Sequence, residues 1–397
     1  MNFYNRAIEL KNETIKNRRF IHKNAEAGLD LPATKKFVKD KLTEYGLKPI
    51  ECGYGIISVI GKGEPIILLR ADMDALPMKE LSGEDFSSVN QNYAHTCGHD
   101  MHTAMLLTAA KMLKEEENQL KGTIKFMFQP GEEILEGCIN MIENGVLKNP
   151  SPDVALAFHV GAGKIPPGTF MYNSTDTMML SVDNFTIKIT GKGGHGAYPN
   201  LSVDPINIGV KIYNGLESII AREANPDDKV IISIGKFQGG TVGNIIPDKV
   251  VLSGALRTNC EDERNKLKIR IKEIAQKIGE AYGGNVKVEF TAQIPTLKCD
   301  EGFTETIISF IKELKIDNEK YISLINANAS EDFALIAKEI PSAYIYLSAG
   351  FADERGEYYA HNPMVRFNEE VCSIGSACMA YCSFRYLEEM KKKKTEK

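Results

Sequence analysis

The sequence predicts an α/β protein with a mostly parallel sheet, into which a ferredoxin-like domain of β-α-β-β-α-β order is inserted. Towards both ends of the chain, amphipathic helices alternate with short apolar strands, which is typical of a parallel sheet covered on both faces. The middle third instead contains strands in which polar and apolar residues alternate, as in a half-exposed sheet. With 397 residues, the chain is long enough for two domains.

The first part of the chain supplies helices and buried strands in turn. The helical segments are 2–27, 33–46, 101–115 and 132–144, and the strand segments are 56–60, 66–69, 123–128 and 154–159. These elements predict that residues 1–180 form the first part of the main domain.

The middle segment has its own order of elements. The strands are expected at 182–190, 229–237, 249–257 and 286–291, and the helices at 204–223 and 261–281. That order is the split β-α-β signature, so residues 181–293 are predicted to be an inserted domain. Residues 294–397 return to the main domain, with helices at 303–315 and 330–338, a strand at 343–347 and a last helix from 368.

Composition and charge exclude several classes of protein. Lys and Arg total 48 against 53 Asp and Glu, a net charge of −5, so we expect no nucleic-acid partner. No run approaches the roughly 20 apolar residues that cross a bilayer, and the N-terminus lacks an apolar signal core. We therefore expect a cytoplasmic protein without a membrane partner. The eight scattered cysteines are predicted to be reduced thiols.

The densest group of reactive side chains is the segment HTCGHDMH, residues 95–102. Cys97 and His99 flank a single glycine, so a thiolate and an imidazole can face one ion across a tight turn, a donor pair that suits zinc and its neighbours. The alternative is a polar loop in which Asp100 caps the following helix. The spacing alone leaves both interpretations open.

Further donors lie where predicted strands end. They are Asp72 and Asp74, Glu132 and Glu133, His159, and His361. Because catalytic groups in open α/β sheets gather at the carboxyl ends of strands, we expect these side chains at one edge of the sheet. Each also has an ordinary structural explanation: acids favour the first turn of a helix, and a strand-end histidine is often a hydrogen-bonded core residue.

Taken in order along the chain, these motifs resemble the M20 metallopeptidases. The matching segments are LLRADMDALP, HTCGHDMHTA, FQPGEE, the strand-end His159, GKGGHGAYP, SEDF and HNP, and the resemblance runs from about residue 18 to residue 367. HTCGHDMHTA with FQPGEE is similar to the amidohydrolase branch, which includes hippurate hydrolases, indole-acetyl-amino-acid hydrolases and N-acetyl-diaminopimelate deacetylases. Gly131 replaces the alanine common in that branch.

The resemblance implies a two-metal centre with assigned residues. The implied metal ligands are Cys97, His99, Glu133, His159 and His361. Glu132 matches the general base, Asp74 the acid that orients a metal ligand, and His195 of GKGGHGAYP the histidine that polarises the scissile carbonyl. Two divalent ions per subunit are implied, and zinc, manganese, cobalt and nickel all remain open.

The resemblance also makes the inserted domain a lid or dimerisation domain, and so implies a homodimer. Within it, Asn244 lies in a glycine-rich loop and Arg257 ends a strand, and both are expected to contact the substrate. Arg257 would pair with a substrate carboxylate. A surface ion pair for Arg257, and an ordinary glycine-rich turn for His195, remain the alternatives.

The implied activity is hydrolysis of N-acyl amino acids, small molecules that yield a carboxylate and a free amino acid, by a metal-activated water with Glu132 as general base. A dipeptidase or aminoacyl peptidase of the same family is the close alternative. A non-catalytic metal-binding protein is the alternative from a different class; it would need the ligands and no base.

Overall fold

The computed structural model describes residues 1–317 and 319–395. The helices are α1 (Phe3–Glu9), α2 (Lys11–Lys23), α3 (Pro32–Glu44), α4 (His99–Glu115), α5 (Gly137–Glu143), α6 (Pro205–Arg222), α7 (Glu261–Ala281), α8 (Glu301–Glu313), α9 (Ala334–Glu339) and α10 (Val371–Thr395). The strands are β1 (Ile50–Cys52), β2 (Gly55–Gly61), β3 (Ile66–Asp72), β4 (Thr123–Gln129), β5 (Val154–Gly161), β6 (Thr169–Met171), β7 (Thr177–Met179), β8 (Val182–Thr190), β9 (Gly194–His195), β10 (Val230–Gly239), β11 (Ile245–Ile246), β12 (Lys249–Thr258), β13 (Asn285–Ile294), β14 (Leu297–Lys298), β15 (Lys320–Ile322) and β16 (Ser342–Ser348).

The larger sheet is mixed, with the strand order β1-β2-β4-β3-β5-β16-β6-β15. Its centre, β4-β3-β5-β16, is parallel, and β1, β2 and β6 add antiparallel pairs. Every residue of β3 and β4 is buried, because elements cover both faces of the sheet centre. The predicted α/β class is confirmed.

Several helices differ from the sequence expectation, and three of them bear on the site or on the first helical segment. The first helix divides into α1 and α2 at Leu10, whose side chain is buried in the core. Helix α4 begins at His99, two residues earlier than expected, directly after a left-handed glycine. Helix α5 begins only at Gly137, so Glu132 and Glu133 lie in a turn before it and the expected helical placement of these acids was wrong.

Two compact units divide the chain: Met1–Met178, Lys298–Asn326 and Asp332–Lys397 form the first, and Met179–Leu297 with Ala327–Glu331 the second. The second unit has the predicted β-α-β-β-α-β order, with an antiparallel sheet ordered β10-β12-β8-β13. Helices α6 and α7 pack on this sheet around a core of aliphatic side chains. The Asp204 carboxylate caps α6 by accepting the N–H of Ile206 at 2.8 Å.

Two further expectations concern the whole chain. All eight cysteines lie in the described part and are free thiols, seven of them buried. Among the described residues, no helix combines the length and apolar character needed to cross a membrane.

Candidate metal centre

The donor side chains of the first unit converge at the carboxyl edge of its parallel strands. Asp72 is the last residue of β3, and His159 lies near the end of the neighbouring β5. His361 follows β16, the next parallel strand. Because these strands run side by side in the same direction, the donor side chains at their ends lie at one edge of the sheet, where the sequence led us to expect them.

A tight turn places Cys97 and His99 on either side of Gly98. Gly98 has φ +97°, a left-handed conformation that L side chains rarely adopt, and a Cβ there would lie 2.4 Å from Val160 Cγ2. The His159 Nε2 atom lies 3.5 Å from Cys97 Sγ, while its Nδ1 donates to the backbone carbonyl of Val160 at 2.8 Å. The thiol of Cys97 and one nitrogen of His159 thus face each other.

The Asp74 carboxylate holds the turn that carries the paired acids. Its Oδ1 accepts the backbone N–H of Glu132 and its Oδ2 that of Glu133, both at 3.1 Å. Gly131 begins this turn with φ +66°, a conformation that favours glycine. Asp74 Oδ1 also lies 3.4 Å from His99 Nδ1, so this one carboxylate faces an imidazole and holds the backbone of two acids.

His361 reaches the site from a strained loop. It has φ +67°, an uncommon conformation for a residue other than glycine, and its side chain is half exposed. Its backbone N–H donates to the carbonyl of Thr96 at 2.9 Å, which holds this loop beside Cys97. His361 Nε2 lies 3.4 Å from Glu133 Oε1.

In the first unit, three overlapping groups of side chains could each hold an ion. Within each group, the donor atoms lie within 4.8 Å of one another. The groups are Cys97, His99 and His159; Cys97, Glu133 and His361; and His99, Glu132 and Glu133. The first two groups have the thiol of Cys97 in common. Two neighbouring ion positions with one shared sulfur are compatible with this arrangement.

The electrostatics of this cluster favour cations. His99 Nε2 lies 3.7 Å from Asp72, 3.9 Å from Glu132 and 3.8 Å from Glu133. Burial disfavours a charged imidazole, but the negative groups around it, led by Asp72, raise the pKa of His99 well above its ordinary value. Burial raises the pKa of the Cys97 thiol to about 12. A bound cation would therefore offset negative charge and stabilise the thiolate.

The residues fit divalent metal ions. Among the described residues, neither ring nitrogen of His99 has a hydrogen-bond partner, nor has Glu133 Oε1, although all three atoms are buried. Buried polar atoms are normally satisfied, so atoms of this kind, converging with a thiol, point to a ligand. The mixture of sulfur, imidazole and carboxylate donors suits zinc and its first-row neighbours.

Beneath the donors lies a buried polar network that the sequence interpretation missed. Arg70 donates to Asp72 at 2.7 Å, to Gln129 at 3.0 Å and to Asp332 at 3.1 Å. The helix expected over 330–338 begins only at Ala334, and Asp332, which precedes it, accepts the backbone N–H of Cys138 at 3.0 Å. An arginine within the apolar strand 66–72 was the signal, since a buried guanidinium needs acidic partners.

The second unit brings His195 and Asn244 together. Strands β9 and β11 pair, and the Gly196 N–H donates to the Asn244 carbonyl at 2.8 Å. The Ala197 N–H donates to His195 Nδ1 at 3.0 Å, so Nδ1 acts as acceptor and the proton of a neutral imidazole resides on Nε2. The exposed His195 therefore presents an N–H donor.

Arg257 lies on β12 of the same unit and is half buried. One of its guanidinium nitrogens donates to the Ser330 hydroxyl at 2.7 Å. Among the described residues it has no ion-pair partner, so the surface ion-pair alternative was wrong. Burial lowers the pKa of Arg257, as expected for a guanidinium without a nearby carboxylate.

Comparison with known proteins gives consistent matches over nearly the whole chain. The model of peptidase family M20/M25/M40 matches residues 68–383. An IAA-amino acid hydrolase (ILR1-like 2) of Arabidopsis thaliana is 34% identical over 94% of this chain and 85% of its own length. An N-acetyl-L-cysteine deacetylase of Bacillus subtilis is 34% identical over 91% and 85%, and a hippurate hydrolase of Campylobacter jejuni 31% over 98% and 100%.

Solved structures agree with this similarity. A protein from methicillin-resistant Staphylococcus aureus has a TM-score of 0.90 at 30% identity, covering 97% of this chain and 99% of its own. A dinuclear metal-binding peptidase of the M20 family from Bacillus subtilis has a TM-score of 0.80 at 27% identity, covering 96% and 99%.

Fold, donor cluster and similarity together define a metal-dependent hydrolase of linear amide bonds. The chain belongs to peptidase family M20/M25/M40, and the resemblance read from its motifs is confirmed. The alternative of a non-catalytic metal-binding protein is set aside by this result. The roles of individual site residues remain predictions.

Proposed function

We propose that the protein hydrolyses N-acyl amino acids to a carboxylate and a free amino acid, with Glu132 as general base. The observation that carries this is the division of the acid pair. Both acids belong to the donor group of His99, but only Glu133 also belongs to the group of Cys97 and His361. This difference supports Glu133 as a metal ligand and Glu132 as the proton carrier.

Two divalent ions per subunit, drawn from zinc, manganese, cobalt or nickel, would supply a Lewis acid and lower the pKa of a water. Cys97, His99, Glu133, His159 and His361 would hold them. In the reaction, Glu132 accepts a proton from the attacking water and returns it to the leaving amine nitrogen as the C–N bond breaks. The His195 Nε2–H donates to the carbonyl oxygen as negative charge develops on it.

Two residues of the second unit are proposed to recognise the substrate. Arg257, which lacks an ion-pair partner among the described residues, would bind the carboxylate of the amino-acid part through two parallel N–H donors. Asn244, which pairs through its backbone with the turn after His195, would contact the acyl amide. The names of the hydrolases and the deacetylase to which this chain is similar refer to amides of this kind, which supports the substrate class.

A release assay on purified, metal-loaded protein tests the proposed activity. The substrates are N-acetyl amino acids, N-benzoyl amino acids and dipeptides, and we expect the N-acyl amino acids to give the highest kcat/KM. Preference for the dipeptides would favour the peptidase alternative, and failure to cleave any member of the panel would contradict both.

The acid pair provides the matched variants. Glu132→Gln should keep its metal yet lose about 10²–10⁴-fold in kcat, because it removes the proton shuttle and leaves the ligands in place. Glu133→Gln should lose metal first. Near-normal kcat in Glu132→Gln would show that another group acts as the base.

The same proposal includes a homodimer formed through the second unit. Helix α6 buries Ile208, Ile212 and Leu216 against its own sheet and exposes Ile206 and Val210 on the opposite side. Strand β10 lies at the edge of that sheet, with one side of its backbone ladder available for pairing. An exposed apolar helix face beside an open edge suits two-fold pairing of identical chains.

A further inference from the structure

His102 has both ring nitrogens engaged in the interior of the first unit. It is fully buried on α4, three residues after His99. Its Nδ1 lies 2.5 Å from Asp72 Oδ1, and the backbone N–H of Val160 donates to its Nε2 at 2.8 Å. Helix α4 and strand β5 are therefore joined through this imidazole.

These two contacts determine where the proton resides. Because the Val160 N–H is a donor, His102 Nε2 must offer its lone pair and carries no hydrogen. The proton of a neutral imidazole then resides on Nδ1 and is donated to the Asp72 carboxylate. Asp72, His99 and His102 offer donor atoms within 4.8 Å of one another, yet His102 has no lone pair left for an ion.

The Val160 peptide also holds His159, one of the proposed metal ligands. The Val160 N–H donates to His102, and the Val160 carbonyl accepts from His159 Nδ1 at 2.8 Å. With Nδ1 of His159 protonated in this way, its Nε2 lone pair is the one that faces Cys97 Sγ at 3.5 Å. The rings of His102 and His159 pack with centroids 4.5 Å apart.

Asp72, at the other end of this chain of hydrogen bonds, is firmly held. Its Oδ2 accepts from Arg70 at 2.7 Å, while Thr103 donates its hydroxyl to the Asp72 carbonyl at 2.7 Å. Arg70 in turn is bound to Gln129 and Asp332. The acceptor for His102 Nδ1–H is thus fixed by Arg70 of its own strand and by Thr103 of α4, while β4 and a loop hold Arg70 in turn.

We propose that His102 is a positioning residue that, protonated on Nδ1, ties Asp72 to the Val160 peptide and so sets the orientation in which His159 faces Cys97. This deepens the proposed metal centre, on which it rests. His102 contacts neither ion nor substrate in this role, and its effect reaches the centre through the backbone of Val160 and the ring of His159.

Cobalt(II) and zinc(II) binding by three His102 variants tests this role. His102→Leu removes both hydrogen bonds, His102→Asn keeps a donor near the Nδ1 position, and His102→Gln places an amide oxygen near the Nε2 position. We expect His102→Leu to weaken metal affinity about 10–100-fold, as loss of an orienting partner does, and to change the cobalt absorption bands. His102→Gln should recover part of the affinity, because it still accepts the Val160 N–H.

Thr108→Val is the matched control for lost stability. Thr108 is buried on the same helix and its hydroxyl hydrogen-bonds Thr14 at 2.8 Å, away from the donor cluster. It should lower the unfolding midpoint while leaving metal affinity and the cobalt spectrum unchanged. A merely structural role for His102 would make its variants behave like this control, and that outcome would overturn the proposal.

A nitrogen-15 NMR experiment on the wild-type protein tests the tautomer without any substitution. The proposal can therefore be tested even if a variant fails to fold. The metal-free and zinc-loaded protein should both show His102 protonated on Nδ1. A proton on Nε2, or a zinc-dependent shift typical of a bound nitrogen, would overturn it. If the wild-type protein bound no zinc or cobalt while His102 kept its Nδ1 proton, the proposed metal centre would fail instead.

Discussion

The Asp74 carboxylate caps the backbone of Glu132, accepting its N–H at 3.1 Å across 58 residues of chain. Its second oxygen accepts the N–H of Glu133, and its first also lies 3.4 Å from His99 Nδ1. One buried acid therefore sets the position of a proposed base and of two proposed ligands. Burial raises the pKa of Asp74, and the neighbouring His99 partly offsets this effect.

Replacing Asp74 should disturb binding and turnover together. Asp74→Ala is expected to lower metal affinity and kcat each by about 10–100-fold, because it frees both the turn at Glu132 and the ring of His99. Zinc competition with a chelator and steady-state kinetics measure the two effects. Asp153→Ala, which removes an acceptor of the Ile66 N–H at 2.7 Å, is the control. Unchanged affinity in Asp74→Ala would contradict the orienting role.

Cys97 should prove essential for the metal content. Elemental analysis of the dialysed wild-type protein should give about two divalent ions per chain, as expected for a two-metal hydrolase. Cys97→Ser should lose at least one ion, since two donor groups share this sulfur, and the cobalt protein should lose its sulfur-to-metal absorption. Cys372→Ser, at a buried thiol of α10, controls for the loss of a cysteine. Full metal content with full activity in Cys97→Ser would rule out this ligand.

Mixed dimers test whether His195 completes the site of the partner subunit. One subunit carries Glu132→Ala and the other His195→Ala, and each parent homodimer should be inactive. If His195 acts on the partner, the hybrid contains one complete site and activity returns. If His195 acts within its own chain, each site lacks one group and a verified heterodimer stays inactive, which would refute the shared site.

Val210→Glu on the exposed face of α6 should separate the subunits, as sedimentation would show.

His22 predicts a pH dependence of stability that is independent of catalysis. It lies buried, with Nδ1 at 2.8 Å from Asp100 and Nε2 at 3.0 Å from Glu80. Burial opposes its charge, but Asp100 and Glu80 outweigh that effect and raise the pKa of His22 to about 9. The charged His22 therefore stabilises the fold. This stabilisation is fully present below the unfolded pKa of about 6.5, and it is lost as the pH rises through the folded pKa of about 9.

Urea unfolding of the wild type and of His22→Gln between pH 6 and pH 10 measures this contribution. The difference in unfolding free energy should shrink by roughly 3 kcal/mol across that interval, the amount that a shift of this size represents. Titrating groups that do not interact with His22 cancel in the difference, because both proteins contain them. A difference that stayed constant with pH would show that His22 is neutral in the folded protein.

The hydrophobic patterns along the chain determined much of the architecture. Strand β8 and helix α7 have the bounds predicted from periodicity, and the order of elements in the second unit followed directly. The motif of residues 95–102 and the pair Glu132 and Glu133 were visible as candidate donors, because strand ends and residue types are local properties. The bounds of these elements and the candidate donors depend on local structure alone, which periodicity and motif spacing report.

Only the tertiary structure decided the features that depend on distant partners. Glu132 and Glu133 were expected in a helix, but the Asp74 carboxylate captures their N–H groups and holds a turn instead. Asp332 was expected in a helix, but it lies before α9 and accepts a hydrogen bond from Arg70, which is buried in β3 and requires an acidic partner. His361 has φ +67° in a loop that is held to a distant segment, because its N–H donates to the Thr96 carbonyl. Each outcome is set by hydrogen bonds between segments far apart in the chain, and local sequence preference does not contain them.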